Sequence, residues 1–239
     1  MNRILDLFRA PRVLLPVIHC IDRIQARENI DLAFASGADG VFLINQGGMT
    51  AGQVLDLAAE LEHTNEHRPR FVGVNALGDI RPASLINRPG CAGVWSDDCG
   101  VHGTPLDALT TLSRFRVERE QTGWHRGLWF GGVGFKYQRP IPDESLGYMA
   151  VLAALGGVDV ITTSGPATGA PPSAERIAGL REALGDHAIG IASGISIENV
   201  AAFLPYANAF LVATGIESSF GHLDAAKVRA LADVIHAGP

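Results

Sequence analysis

The residues best suited to bond-breaking chemistry are two adjacent aspartates and one lysine, each placed just after an apolar run. Asp97 and Asp98 follow Gly-Val-Trp-Ser, and Lys136 follows the glycine-rich run Gly-Gly-Val-Gly-Phe. Because successive side chains of a strand point to opposite faces, at most one aspartate would face inward unless the strand has ended. The Cys-Gly turn that follows would hold Asp98 at the rim, so we expect Asp98 to be the catalytic carboxylate. Asp97 would contact the substrate or cap a loop.

Lys136 and His19 are the other two catalytic candidates. A lysine at the end of an apolar run is partly desolvated, which would lower its pKa and suits Schiff-base formation or anion binding. A surface lysine paired with a carboxylate is the alternative. His19 ends the run Val-Leu-Leu-Pro-Val-Ile and could be a general base, a ligand or a hydrogen-bonded core histidine. The remaining histidines have no HxH or HExxH spacing, so no zinc site is predicted.

Asn45 and Asn75 end two further apolar runs. We expect their amides to hold the hydroxyl groups of a sugar. The pattern calls for no organic cofactor. Asp98 together with a bound phosphate would make a reasonable Mg²⁺ site, although no dedicated cluster of ligands demands a metal.

Glycine and hydroxyl residues recur after the last three apolar runs, and this recurrence predicts a phosphate site. The segment 162–169 (Thr-Thr-Ser-Gly-Pro-Ala-Thr-Gly) could present several backbone amides, and a helix is predicted to open at Ser196. Backbone amides and a helix N-terminus both favour a bound anion, and in α/β barrels the loops after strands seven and eight often hold phosphate. The predicted phosphate ligands are Ser164, Gly165, Thr168, Gly169, Ser193, Gly194, Thr214 and Gly215.

Eight short apolar runs must position these residues. They cover 13–19, 40–45, 71–77, 93–98, 128–135, 158–164, 188–193 and 209–214, and helical patterns with candidate N-caps at Thr50 and Ser173 lie between them. Continuous apolar runs are typical of parallel strands buried on both faces. Eight strand–helix units in 239 residues predict one α/β domain over 1–239, a (βα)8 TIM barrel, with a short helix in 1–10 covering its floor. A doubly wound open sheet is the alternative. The first run is not followed by a GxGxxG motif, which weakens that alternative.

Composition and charge exclude several functional classes. The formal net charge is −6 without any basic run, so binding to a nucleic-acid backbone is not the expected activity. Three cysteines without CxxC spacing argue against a disulfide framework and fit a reducing cytoplasm. No run of about 18 apolar residues predicts a transmembrane segment. We therefore expect a cytoplasmic protein whose partner is a small phosphorylated ligand; homo-oligomerisation stays open.

Several of these segments together resemble the BtpA/SgcQ family of barrel proteins. They are Ile18-His19, Asn45, 72–75 (Val-Gly-Val-Asn), Asp98-x-Gly100, Lys136, 163–172 (Thr-Ser-Gly-x-Ala-Thr-Gly-x-Pro-Pro), Ser193-Gly194 with Asn199, and Thr214. The resemblance implies a (βα)8 barrel of the ribulose-phosphate-binding type, with one branch named for photosystem I biogenesis and another labelled a nucleosidase or sugar-metabolism enzyme. Two positions differ from the family pattern: Tyr137-Gln138 replaces His-Ala, and Glu217 stands near the place of a usual lysine. Glu217 could instead bind ribose hydroxyls.

These observations predict an enzyme that acts on a phosphorylated sugar or nucleotide. The expected reaction is glycosidic C1 chemistry of the nucleosidase or phosphoribosyl type, in which Asp98 stabilises an oxocarbenium ion. Lys136 would stabilise the leaving group or the phosphate. A Schiff-base lyase or aldolase that uses Lys136 is one alternative. A non-catalytic assembly or regulatory barrel of the BtpA type is the other.

Overall fold

The apolar runs form eight parallel strands that close into a barrel. The computed structural model describes residues 2–63, 71–75, 90–101, 104–124 and 127–237. The strands pair in sequence order, and the eighth pairs with the first. The predicted (βα)8 barrel is therefore confirmed. The strands are β1 Val13–His19, β2 Gly40–Ile44, β3 Phe71–Asn75, β4 Gly93–Ser96, β5 Leu128–Gly132, β6 Val160–Thr163, β7 Ala188–Ile191 and β8 Ala209–Val212.

The helices of the described ranges pack around the barrel. Side-chain caps start most of them; for example, Thr50 accepts a hydrogen bond from the Gln53 amide, Thr104 from the Asp107 amide and Ser173 from the Arg176 amide. Such caps satisfy backbone donors that have no partner within the helix. The helices are α1 Arg3–Phe8, α2 Arg23–Ala35, α3 Ala51–His63, α4 Pro105–Thr122, α5 Asp143–Leu155, α6 Ala174–Leu184 and α7 Ala225–Ala237.

Apart from β3, whose predicted residues 76 and 77 lie outside the described ranges, the strands after β1 end one to three residues earlier than the sequence predicts. One predicted helix is absent. No α-helix begins at Ser196 in this described segment; a 3₁₀ turn, Val200–Ala202, follows instead. The reason is local, because the Asn199 side chain donates to the Gly194 carbonyl and accepts from the Ser196 amide. Such side-chain bonds compete with helical hydrogen bonding. The helix predicted at Ser196 is therefore wrong.

The barrel interior is filled by alternate residues of the strands, with Phe42, Phe71 and Phe130 at its centre. Helix α1 closes the amino-terminal end, since Ile4 is fully buried in the same cluster and Phe8 contacts Phe71 with ring centroids 5.1 Å apart. This leaves the opposite end of the barrel for ligands.

A hairpin lies between β8 and α7. The 3₁₀ turn Thr214–Ile216 leads into two short antiparallel strands, β9 Glu217–Ser219 and β10 His222–Leu223. We call residues 217–223 the strap. It carries Glu217 and Phe220 next to the end of β1.

Candidate active site

Polar side chains gather where the strands end, at the carboxyl-terminal mouth of the barrel. In barrels of this kind the active site lies at this end, because the loops there can vary without disturbing the core. The predicted residues sit at or just after strand ends: His19, Asn45, Asn75, Asp97, Asp98, Lys136, Ser164, Ser193 and Thr214. The structure brings several of them into two clusters.

The first cluster is the hydrogen-bonded pair Asn75 and Asp97, together with Lys136, whose charge acts on Asp97 without a direct ion pair. The Asn75 amide nitrogen donates to Asp97 Oδ1 over 3.1 Å, and Asn75 is 3% exposed. Burial raises the pKa of Asp97, and the hydrogen bond from Asn75 and the charge of Lys136 offset part of that rise. Burial likewise lowers the pKa of Lys136, with the Asp97 carboxylate opposing the change. The Asp97 carboxylate is therefore a stronger base than usual, and the Lys136 ammonium is a stronger acid than usual.

Asp98 has a different environment from Asp97. Its Oδ1 accepts the Gly100 amide hydrogen over 2.7 Å, which closes a tight turn at the predicted rim. The charge of Asp98 contributes to raising the pKa of Asp97. The catalytic role expected of Asp98 stays a prediction, and Asp97 is the aspartate whose carboxylate Asn75 binds.

Gly132, the last residue of β5, sets the position of Asp97. A Cβ atom at Gly132 would lie 1.9 Å from the Asp97 carbonyl oxygen, so only glycine allows the two backbones to come this close. The Cys99 amide also donates to the Gly132 carbonyl over 3.1 Å. Strand β5 therefore holds the segment that carries the carboxylate.

The second cluster pairs His19 with Glu217. Their Nδ1 and Oε1 atoms are 3.1 Å apart, and Glu217 Oε1 also accepts the Gly221 amide hydrogen over 3.1 Å. The Phe220 ring stacks on the imidazole with centroids 4.8 Å apart. The buried carboxylate of Glu217 contacts the histidine, and its predicted binding of ribose hydroxyls stays a prediction.

The predicted phosphate loop after β6 is held by bonds from neighbouring strands. The Lys136 amide donates to Ser164 Oγ over 2.7 Å, and the Ser193 hydroxyl lies 2.9 Å from the Ala167 carbonyl and 3.0 Å from that of Ala170. A Cβ atom at Gly165 would lie 2.1 Å from the Ala170 carbonyl oxygen. Ser164, Gly165 and Ser193 thus shape the loop.

The other glycines of the predicted phosphate site also lie at close approaches or turns. Gly194 has φ +66°, and a Cβ there would lie 2.2 Å from Pro171 N. A Cβ at Gly215 would lie 2.1 Å from the Ile195 carbonyl oxygen, so the turn that precedes the strap packs closely against the loop after β7. Gly169 has φ +79° on the exposed side of its loop, and Thr214 is exposed. Phosphate binding by these residues stays a prediction.

Several residues that contact the site carry no signal in the sequence pattern. Tyr137 has a left-handed φ of +61°, and its hydroxyl oxygen accepts the Thr168 amide hydrogen over 3.2 Å. Such a conformation is rare for a bulky residue and is found at functional sites. Phe220, Gln25 and Asn29 were missed because aromatic and amide residues on a helix or in a hairpin are common without any functional role.

The cysteines and the metal candidates give no further chemistry. Burial raises the pKa of Cys20 and Cys99 to about 12, so neither is a thiolate near neutral pH. The described residues contain no group of three or more His, Cys, Asp or Glu side chains able to hold a metal ion. In the same ranges, no helix has the length and apolar character needed to cross a bilayer.

Comparison with solved structures finds the same barrel in enzymes of different reactions. (S)-3-O-geranylgeranylglyceryl phosphate synthase from Thermoplasma acidophilum, in complex with sn-glycerol-1-phosphate, is 13% identical with a TM-score of 0.68, covering 98% of this chain and 97% of that chain. Phosphoribosyl anthranilate isomerase from Thermus thermophilus is 17% identical with a TM-score of 0.56, covering 92% and 96%. A Schiff-base-forming fructose-1,6-bisphosphate aldolase is 15% identical with a TM-score of 0.60, covering 98% of each chain.

At these identities the similarity establishes the fold alone. No family model matches the sequence, and no curated protein matches it. The resemblance to the BtpA/SgcQ family therefore stays a prediction.

Proposed function

We propose that this protein is an enzyme that breaks the glycosidic C1 bond of a phosphorylated sugar or nucleotide. The observation that carries the proposal is the Asn75–Asp97–Lys136 cluster at the mouth. In this proposal Asp97 takes the role that the sequence suggested for Asp98. The Asp97 carboxylate accepts a hydrogen bond from the Asn75 side chain, and the charge of Lys136 acts on it.

The cluster suits cleavage through an oxocarbenium ion. As the bond from C1 to the leaving group breaks, its electron pair goes to the leaving atom, which takes a proton from the Lys136 ammonium. A lowered lysine pKa makes that ammonium a better acid. The Asp97 carboxylate stabilises the positive charge at C1, held in place by Asn75. A water molecule then adds to C1 and loses a proton to a base.

The phosphate of the substrate is assigned to the loops after β6, β7 and β8. Those three consecutive loops carry Ser164–Gly169, Ser193-Gly194 and Thr214-Gly215 in close packing. Backbone amides in such loops favour anions. Two of the structural neighbours are named for phosphate-bearing ligands, sn-glycerol-1-phosphate and fructose-1,6-bisphosphate, which supports a ligand of this class.

A thermal-shift panel tests the ligand class. Its members are inorganic phosphate, ribose 5-phosphate, phosphoribosyl pyrophosphate, nucleosides and nucleoside monophosphates, each with and without Mg²⁺. A ligand at about 100 times its dissociation constant adds roughly 2.7 kcal/mol of stability, which is several degrees in a chain of this size. Phosphorylated sugars should raise Tm and free nucleosides should not. Silence across the panel would contradict the proposal and favour an assembly or regulatory barrel.

Matched aspartate variants test the assignment of the carboxylate. With a ligand from the panel that is turned over, Asp97→Asn should lower kcat by about 10²- to 10⁴-fold, the range for a positioned acid–base or charged group. Asp98→Asn, which changes the carboxylate bonded to the Gly100 amide, is the matched variant and should lower kcat less. Both variants should still bind inorganic phosphate. The opposite ranking would return the catalytic role to Asp98.

A Schiff-base lyase is the second candidate, and the lowered pKa of Lys136 favours it. In that reaction the neutral amine adds to a substrate carbonyl, water leaves and an imine forms. Borohydride would reduce the imine to a stable secondary amine on Lys136, which mass spectrometry detects. Lys136→Met is the control. An adduct on Lys136 would replace the glycosidic mechanism with this one.

A further inference from the structure

His19 and Glu217 form a second reactive cluster, separate from Asn75–Asp97–Lys136. His19 ends β1, whereas Asp97 and Lys136 follow β4 and β5. In a closed ring of eight strands in sequence order, β1 and β5 lie four strands apart. Lys136 therefore follows the strand opposite β1 in the ring, and Asp97 follows the neighbouring strand β4.

The contact with Glu217 fixes which imidazole nitrogen carries the proton. An ionised carboxylate only accepts hydrogen bonds, so a hydrogen bond from Nδ1 to Glu217 Oε1, 3.1 Å away, requires the N–H to be on Nδ1. In the neutral imidazole the Nε2 atom then holds the lone pair. Among the described residues, none is hydrogen-bonded to Nε2. His19 keeps some exposure, its side chain being 12% accessible.

The strap is built to hold this pair. The Asn29 side chain donates to the Gly221 carbonyl over 2.7 Å and accepts from the Leu223 amide over 3.0 Å, and the Gln25 amide donates to the His19 carbonyl over 3.0 Å. Gln25 and Asn29 are each 6% exposed. Two buried amides of α2 thus clamp the strap to the end of β1.

Within the strap, the two residues nearest the imidazole restrict its orientation. Glu217 is held by the Gly221 amide, and Lys227 donates to the Glu217 carbonyl over 2.8 Å. Phe220 lies against one face of the imidazole, with the ring planes 18° apart. These contacts fix the ring orientation and favour the Nδ1–H tautomer before any ligand binds, as in other sites where a carboxylate orients a histidine.

We propose that His19 is the general base that takes the proton from the attacking water, and that Glu217 is the residue that positions it. The inference rests on the proposed function, which leaves that base unassigned. Water O–H breaks as the new C1–O bond forms, and the proton goes to His19 Nε2. Because His19 stands across the mouth from Lys136, water attacks the face of the sugar opposite to the leaving group. The reaction then inverts the configuration at C1.

The tautomer can be measured without any substrate. Two-dimensional ¹H–¹⁵N NMR of protein labelled in its histidines distinguishes the Nδ1–H from the Nε2–H form, and the His19 signal is assigned by its loss in His19→Asn. The unaltered protein should show the Nδ1–H form at neutral pH, and Glu217→Gln should lose that preference. An Nε2–H tautomer in the unaltered protein would overturn the inference even if phosphosugar binding were established.

Activity measurements test the role of the base itself. His19→Ala should lower kcat by about 10²- to 10⁴-fold, and free imidazole in the buffer should restore part of it, which a purely structural role would not allow. His222→Ala, in the exposed part of the same strap, is the control and should keep full activity. NMR of the sugar product should show inversion at C1. Retention, or loss without imidazole rescue, would exclude His19 as the base.

If no phosphorylated ligand binds, the proposed function fails, and the NMR tautomer still reports on the pair. If ligands bind and turn over but the tautomer or the stereochemistry differs, only the inference about His19 and Glu217 fails.

Discussion

Asp97 and Lys136 hold ionisable groups where burial opposes their charge. For both groups, loss of solvation is the largest cause of the pKa shift, and mutual attraction only offsets part of it. A site that shifts the pKa values of its acid and base toward each other lowers the cost of proton transfer, at some expense in folding stability. Replacing either group with a neutral one should therefore relieve the protein of a charge that burial disfavours.

The pH dependence of Asp97→Asn tests this directly. The folded-state pKa of Asp97 is raised above 3.8, so between that value and the raised one the native state binds more protons than the unfolded chain. The free energy of unfolding of the unaltered protein must then fall as pH rises through this window. Asp97→Asn does not undergo this fall in stability. The difference in the free energy of unfolding between the variant and the unaltered protein should therefore change in favour of the variant as pH rises through the window, and stay constant above it. Urea unfolding of both proteins between about pH 4 and pH 7 measures this difference. If Asp97→Asn loses stability relative to the unaltered protein as pH rises, burial does not raise the pKa of Asp97.

Two tryptophans allow a matched test of buried hydrogen bonds. Trp129 Nε1 donates to Ser96 Oγ over 3.0 Å, whereas Trp95 Nε1 is buried with no acceptor among the described residues. Both Trp→Phe changes remove similar volume. Trp129→Phe should cost about 1 kcal/mol more than Trp95→Phe, because only Trp129 loses a hydrogen bond. Denaturant unfolding gives both values, and equal losses would mean that the Ser96 contact adds nothing.

At the scale of single elements, the end of β5 decides where the carboxylate stands. Gly132→Ala should force the Asp97 backbone away, since the new Cβ would sit 1.9 Å from its carbonyl oxygen. Gly179→Ala is the control: it lies in α6, exposed, with no described atom within 4 Å of the new Cβ. That control should stabilise by about 0.5–1 kcal/mol. We expect Gly132→Ala to lose ligand turnover; retention of full turnover would show that Asp97 does not need this approach.

The sequence predicts the elements better than the contacts between them. The limits of β1 agree with the predicted run, while the later strands other than β3 were predicted too long, because apolar or polar residues that follow the last paired position already belong to loops. The helix at Ser196 failed because Asn199 competes for its backbone groups. The Asp97–Asn75 and His19–Glu217 contacts join residues 22 and 198 positions apart, and no local pattern reports which distant side chains meet.

At the scale of the whole molecule, the floor of the barrel stabilises the fold, and the mouth carries the candidate site. At the floor, Asp159 binds Arg3 and the buried Arg119, each over 2.8 Å, and accepts the Trp129 amide hydrogen over 2.8 Å. The mouth carries the two polar clusters. The (βα)8 architecture and this division could be predicted from eight apolar runs with polar ends, because parallel strands must deliver those ends to one side.

Asp159→Asn tests that division. Removing the charge leaves the Arg119 guanidinium buried without its partner, which should cost about 3 kcal/mol or more in the free energy of unfolding. Asp143→Asn, which breaks the ion pair of an exposed carboxylate with Arg176, is the control and should cost at most about 1 kcal/mol. The folded Asp159→Asn protein should bind ligands at the mouth as before. Equal losses in the two variants, or lost binding in the floor variant, would contradict separate roles for the two ends.

The most direct test of the account is a crystal structure of the protein soaked with ribose 5-phosphate. We predict the phosphate against the loops after β6, β7 and β8, and the C1 end of the sugar between Asp97 with Lys136 on one side and His19 on the other. Sugar bound at any other place, or a mouth that stays empty at saturating ligand, would contradict the claim that this barrel acts on phosphorylated sugars.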